Sequence, residues 1–139
     1  MEHTLSDNLL VKQNIKPQDI SSGASVNGTG QDCAGYEQLL VEVETGVVTT
    51  GTITVKLQES SDDGSVDTYA DITGATTVAV GTTADEAPYL IDVNLSERER
   101  YIRAVATAAG GGDALVGVAF LLARGRHLPP TQTKTVVKV

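Results

Sequence analysis

The densest group of chemically able side chains lies in KLQESSDDGSVDTYADI, residues 56 to 72, which holds Glu59, Asp62, Asp63, Asp67 and Asp71. Carboxylate oxygens this close could ligate calcium, and two carboxyls fixed in a cleft could act as general acid and base. A helix-loop-helix calcium loop needs ligands at alternating positions, a central glycine and a closing glutamate. Here Asp62, Asp63, Gly64 and Asp67 miss that spacing, no glutamate closes the loop, and the flanks read as strands. An exposed turn also offers no enclosure, so acids there stay ionised. SSDDGS instead reads as a hairpin tip in which carboxylates bond nearby backbone N–H groups. On this reading the tip is solvated, and replacing Asp62 and Asp63 by Asn leaves the fold nearly unchanged.

The other reactive residue types are sparse. Cys33 is the single cysteine, and His3 and His127 stand near opposite ends of the chain. That set is too small for a zinc site, allows no disulfide within the chain and puts no histidine beside a nucleophile. The glycines at 28 and 30 and at 110 to 112 lack the following Lys-Ser/Thr or helix N-terminus of a phosphate loop, so they read as hinges. ERER, at 97 to 100, reads as a solvated connection capped by Ser96, with Arg98 or Arg100 reaching Asp92. The expectation is a protein with no catalytic residue, no metal and no cofactor.

Charge narrows the partners. The net charge is −8, with fifteen acids against four bases between residues 24 and 123. The bases Arg124, Arg126, Lys134 and Lys138 follow with no acid among them. An acidic body repels phosphate backbones, which argues against nucleic acid. With four Tyr, one Phe and no Trp, an aromatic-lined ligand pocket is not expected. The apolar run from Ala114 to Ala123 is too short to cross a bilayer, and the first residues do not resemble a signal peptide, so no membrane association is expected.

These residues must be positioned by strands, because alternation of period two dominates and helical periodicity is missing. YEQLLVEVET puts Leu39, Val41 and Val43 on one face, and TITVKLQES does the same with Ile53, Val55 and Leu57. The segment after the acidic turn should return antiparallel from Tyr69 to Ile72, with a small strand near Thr77 to Val80. YLIDVNL and YIRAVATA follow, and GGGD should turn a last hairpin into LVGVAFLLA. That final strand is apolar on both faces, so it is either central or presents one face to another chain. The fold class expected is all-β, an antiparallel sandwich or jelly-roll-like barrel with extended arms. Residues 1–23 read as an N-terminal arm, 24–124 as the body, and 125–139 as a basic arm interrupted by Pro129 and Pro130 and ending in a short strand, TVVKV.

Several segments together carry a family likeness. Gly35-Tyr36 opens a strand, Lys56 to Ser60 leads to Asp62, and Tyr69 and Asp71 follow. Later Tyr101-Ile102-Arg103 runs through a Gly-rich turn to an apolar strand that ends in Arg124 to Pro130. This pattern, over residues 33 to 130, resembles small structural proteins encoded among the head genes of tailed bacteriophages. The resemblance implies a capsid decoration or cement protein, a β-sandwich on the outer face of the shell that bridges neighbouring capsomers. It implies the major capsid protein as partner, the virion as location after the host cytoplasm, and a homo-oligomer, a trimer before a dimer. A tail or neck component and a carbohydrate-binding sandwich are the alternatives. The contact residues expected on the arms and the apolar strand are Leu9, Leu10, Val116, Val118, Phe120, Leu122, Arg124, Arg126, His127, Leu128, Pro129 and Pro130.

Overall fold

The computed structural model describes residues 4–77, 79–83 and 87–132. Its strands are β1 (Leu9–Ile20), β2 (Ser25–Asn27), β3 (Gln31–Asp32), β4 (Gln38–Thr45), β5 (Thr52–Ser60), β6 (Ala70–Thr76), β7 (Tyr89–Asn94), β8 (Tyr101–Ala109) and β9 (Ala114–Ala123). They form two antiparallel sheets: β1-β9-β4-β7 in one, and β2-β8-β5-β6 in the other, with β3 also on β8. The protein is therefore all-β and sandwich-like.

Alternation puts one side of each strand in the core. Leu39, Val41 and Val43 of β4, Ile53, Val55 and Leu57 of β5, and Val116, Val118, Phe120 and Leu122 of β9 are buried. β8 adds Ile102, Ala104, Ala106 and Ala108. Each fully buried large aliphatic side chain contributes about 1.5–3 kcal/mol of apolar transfer free energy.

Two parts of the chain differ from expectation. The proposed N-terminal arm is a strand of the body from Leu9 onward, paired with β9 from Leu9↔Ala123 to Ile20↔Ala114. Its register shifts between Gln13 and Ile15 and again between Ile15 and Gln18, so Asn14 and Ile15 are both buried and alternation breaks. Bulges of this kind also let Pro17 stand inside a strand. In β9 the contact residues expected at Val116, Val118, Phe120 and Leu122 belong to the core instead, as does Leu10 of β1. β9 is central, between β1 and β4, and its outward set is Leu115, Gly117, Ala119 and Leu121.

Most connections cross between the layers. Among consecutive strands only β5 and β6 are joined as neighbours in one sheet. GGGD is thus a corner between sheets, because β8 and β9 lie in different layers. Gly51 packs against this corner so closely that a Cβ there would stand 2.2 Å from the Ala109 carbonyl oxygen. Of the small strand expected near Thr77 to Val80, an isolated bridge between Val80 and Ile53 is present, while residue 78 lies outside the described residues. The turn Leu95–Glu97 is capped by Asn94, whose Oδ1 accepts the Ser96 N–H, rather than by Ser96. Arg98 pairs with Glu59 at 3.2 Å and Arg100 with Asp32 at 2.7 Å, so neither reaches Asp92.

Candidate interaction surfaces

The acidic turn is built, residue by residue, as a scaffold. The buried Ser60 hydroxyl donates to the Asp67 carbonyl at 2.7 Å and accepts the Gly64 N–H at 2.8 Å. The Asp62 carboxylate accepts three backbone N–H groups, from Ser65, Val66 and Asp67, at 2.8–3.1 Å. Asp67 takes the Ser61 N–H and hydroxyl, and these bonds hold its carboxyl below the usual range. Asp63 and Gly64 both adopt positive φ, at 62° and 77°, which reverses the chain. The tip is therefore folded through its acids, with the Asp62 carboxylate bonding backbone N–H groups as expected, and it stays open to solvent, Asp63 exposed and Asp62 half-buried.

From Asp63 a chain of polar contacts runs over the outer face of β5 and β8. The Tyr69 hydroxyl donates to Asp63 at 2.5 Å, and the Arg103 guanidinium lies 4.1 Å from the Tyr69 ring centroid. Arg103 donates twice to Gln58 Oε1, Gln58 donates to Asp71, and Asp71 pairs with Lys56 at 2.7 Å. Glu59 is used separately, by Arg98 and by the Glu99 N–H. The five acids thus serve different partners, and among the described residues no three His, Cys, Asp or Glu are grouped to hold a metal ion.

The outer face of β1-β9-β4-β7 has the opposite character. One row across it reads Val11, Leu121, Leu40 and Asp92, and the next reads Gln13, Ala119, Glu42 and Leu90. Leu90, Leu115 and Val11 are 61%, 53% and 48% exposed. Because Gly117 and Ala119 have little or no side chain, a depression of about 310 Å³ opens above them. Val11, Lys12, Gln13 and Pro17 wall one side of it, and Glu42 and Glu44 the other. Pro17 already lies against Gly117, where an added Cβ would be 3.3 Å from the ring.

The residues expected on the C-terminal arm gather at one end of this sheet. Arg124 pairs with Glu37 at 3.1 Å, and the Arg126 N–H donates to the Gly35 carbonyl at 2.8 Å. His127 and Pro129 are exposed and Pro130 is half-buried. Leu128, 49% exposed, joins Leu5, Leu9 and Ala123 around a hollow of about 420 Å³. Leu9 is half-buried on the outer side of β1, unlike Leu10 beside it. The expected strand TVVKV falls at residues 135–139, outside the described residues.

Sequence reasoning missed Gln132. Its carboxamide nitrogen donates to the carbonyls of Leu9 and Ser6, and its oxygen accepts the Val11 N–H at 3.3 Å. One side-chain amide thereby occupies backbone positions on the open edge of β1, as the peptide of an adjacent strand would. Nothing in the local sequence marks a glutamine for that place.

No known family model matches this chain, and no curated protein matches it. Among solved structures it is similar to the PBSX exported protein XepA, at 15% identity and a TM-score of 0.59. All of this chain is covered there, but it spans only 45% of the XepA chain. It is also similar to the SPBc2 prophage-derived protein YomS, at 11% identity and a TM-score of 0.52, over 88% of this chain and 99% of that one. The likeness is one of fold.

Proposed function

We propose that the protein is a structural component of a tailed-phage or prophage particle, and that it decorates the head. In this reading it binds the outer surface of the shell, contacts the major capsid protein and bridges neighbouring capsomers as a trimer. The observation that carries the reading is the difference between the two outer sheet faces in exposed apolar side chains, Val47 and Val66 being exposed in loops outside either face. Val11, Leu90 and Leu115 lie on the outer face of β1-β9-β4-β7, with Leu5 and Leu128 at its end. The outer face of the second sheet instead displays Thr52, Thr54, Lys56, Gln58, Arg103 and Thr107. Apolar surface gathered on one side marks a contact with another macromolecule.

Two further facts support the reading. Both fold neighbours carry prophage names, PBSX and SPBc2. The acidic body suits the outside of a shell better than its DNA-filled interior. A carbohydrate platform is less favoured, because Tyr69 stacks with Arg103, Arg100 lies 5.1 Å from the Tyr101 ring centroid, and Tyr36 and Tyr89 are half-buried.

The test is sedimentation of the purified protein alone and with undecorated phage heads. Saturable co-sedimentation with heads supports decoration. Binding to tails or necks and not to heads overturns it in favour of a tail or neck component, and binding to neither overturns the particle assignment.

A further inference from the structure

We propose that the outer edge of β7 receives an extended segment of a partner protein as one more strand of its sheet, apolar on the side facing the core and basic on the outer side. The contact is made by backbone along an edge, beside the apolar sheet face, and holds whether or not the particle assignment does.

The edges of the two sheets are not alike. β1 is blunted by two register shifts, by Pro17 and by Lys12 and Lys16, and Gln132 fills part of it. β6 carries a register shift against β5 and Gly74 at a φ of 82°. β2 and β3 are three and two residues long. β7, in contrast, keeps unbroken register with β4 over Tyr89–Asn94 and contains no proline or lysine.

The direction of its backbone groups follows from one bond. The Leu95 N–H donates to the Glu37 carbonyl at 2.9 Å, continuing the register Gln38↔Asn94. Backbone groups in an antiparallel pair point alternately towards and away from the partner, so those of Leu90 and Asp92 point away from β4. Among the described residues nothing bonds them on that side. A row of outward N–H and C=O groups is matched by another extended backbone.

The side chains of such a strand have places to go. A cleft of about 360 Å³ opens between β6 and β7, lined by Ile72 and Ala75 from one and Ile91 and Val93 from the other. Alternate residues of an added strand would enter it. The charged residues around the cleft are Asp92, Glu97 and Arg98. Arg98 is held by Glu59, whereas Asp92 and Glu97 are exposed and make no ion pair among the described residues. Lysine or arginine on the outward positions of the strand therefore matches this edge. A second copy does not: its β7 has no base, and each copy carries a net charge of −8.

The probe is a short peptide of alternating lysine and valine, capped at both ends, titrated into the full-length protein. Saturable binding is expected, with the Leu90 and Asp92 amide signals shifting in NMR spectra. Leu90→Pro removes an outward N–H and spares the β4 ladder, as edge strands tolerate. It should weaken binding about tenfold, through the lost donor and the bulk of the ring. Leu90→Thr keeps the N–H and should bind as the native protein does. Asp92→Asn should weaken binding about two- to fivefold.

A second measurement leaves the protein unaltered. The same peptide methylated at every backbone nitrogen keeps its charge and side chains, cannot pair with an edge, and should not bind. Equal affinity of the Leu90→Pro variant, or of the methylated peptide, would reduce the contact to attraction by an acidic surface and overturn the proposal. Absence of peptide binding overturns it too, in favour of a second copy if the protein forms dimers that Leu90→Pro dissolves.

Discussion

The carboxamide oxygen of Asn14 accepts the backbone N–H of Ala104 at 2.8 Å, across from one sheet to the other. Ala104 lies on β8 between the stretches paired with β2 and β3, where the ladder is interrupted. The Asn14 nitrogen meanwhile donates to the Thr29 carbonyl at 2.7 Å. One buried side chain thus satisfies two backbone groups and joins the layers. Asn14→Leu leaves the buried Ala104 N–H without a partner, at a cost of about 1–3 kcal/mol. Urea unfolding should show the midpoint lowered accordingly with an unchanged slope.

Gly30 abuts the Asp63–Tyr69 pair. A Cβ there would stand 1.8 Å from Asp63 Oδ1 and 2.1 Å from the Tyr69 hydroxyl oxygen. Gly30→Ala should therefore displace the Asp63 carboxylate and the Tyr69 hydroxyl and cost about 0.5–1.5 kcal/mol, the worth of their hydrogen bond. In a double-mutant cycle with Asp63→Ala the two losses should sum to more than the double variant shows, because both act on the same contact. Additive losses would place the strain elsewhere.

Asp62→Asn puts an amide where a carboxylate oxygen receives a backbone N–H. The expected cost is about 1 kcal/mol, read as a lower thermal midpoint without change of fold. An unaffected midpoint would show that these bonds do not hold the tip together.

The Cys33 thiol is pushed up to about 12, first by burial and then by the charge of Asp32. At pH 8 almost none is thiolate, and the thiolate is the reactive form. The folded protein should resist a thiol reagent at pH 8 and react fully in denaturant. Rapid labelling of the native chain would contradict this environment.

Acid should weaken the fold through Asp32. The Arg100 guanidinium, bonded to both carboxylate oxygens at 2.7–3.0 Å, lowers the Asp32 pKa from 3.8. A carboxylate with a lowered folded-state value stabilises fully above its unfolded value and loses that contribution as pH falls through the folded one. Asp71, held down by Lys56, acts in the same sense, whereas Glu99, raised by its hydrogen bond to Asp67, acts in the opposite one. The thermal midpoint should fall as pH drops below 3.8, and Asp32→Asn should make that decline shallower. The Asp32–Arg100 pair is solvent-exposed, so the difference is small.

The fold class was legible because β4 and β5 alternate cleanly, and Thr52–Ser60 coincides with the strand read from TITVKLQES. β1 was not, because two bulges put Asn14 and Ile15 on the same buried side and disguised the strand as an arm. Nor does alternation say which sheet a strand joins. That is why GGGD passed for a hairpin, and why the inward half of β9 was mistaken for its contact face. Of the candidate surface, Arg124 to Pro130 were visible as a basic, proline-containing stretch. The outward row of Val11, Leu121 and Leu40 depends on register between strands far apart in sequence, and so was hidden.

The central place of β9 also bears on how the molecule is made. β1 and β4 flank it and do not touch each other in the sheet, so neither has its middle partner until residues 114–123 have left the ribosome. Until then their apolar edges wait unpaired, a state prone to sticking to other nascent chains. Pairing so distant in sequence also slows folding towards the millisecond-to-second range typical of all-β domains. The pairing of β1 and β4 with β9 is thus completed only after residue 123 is made.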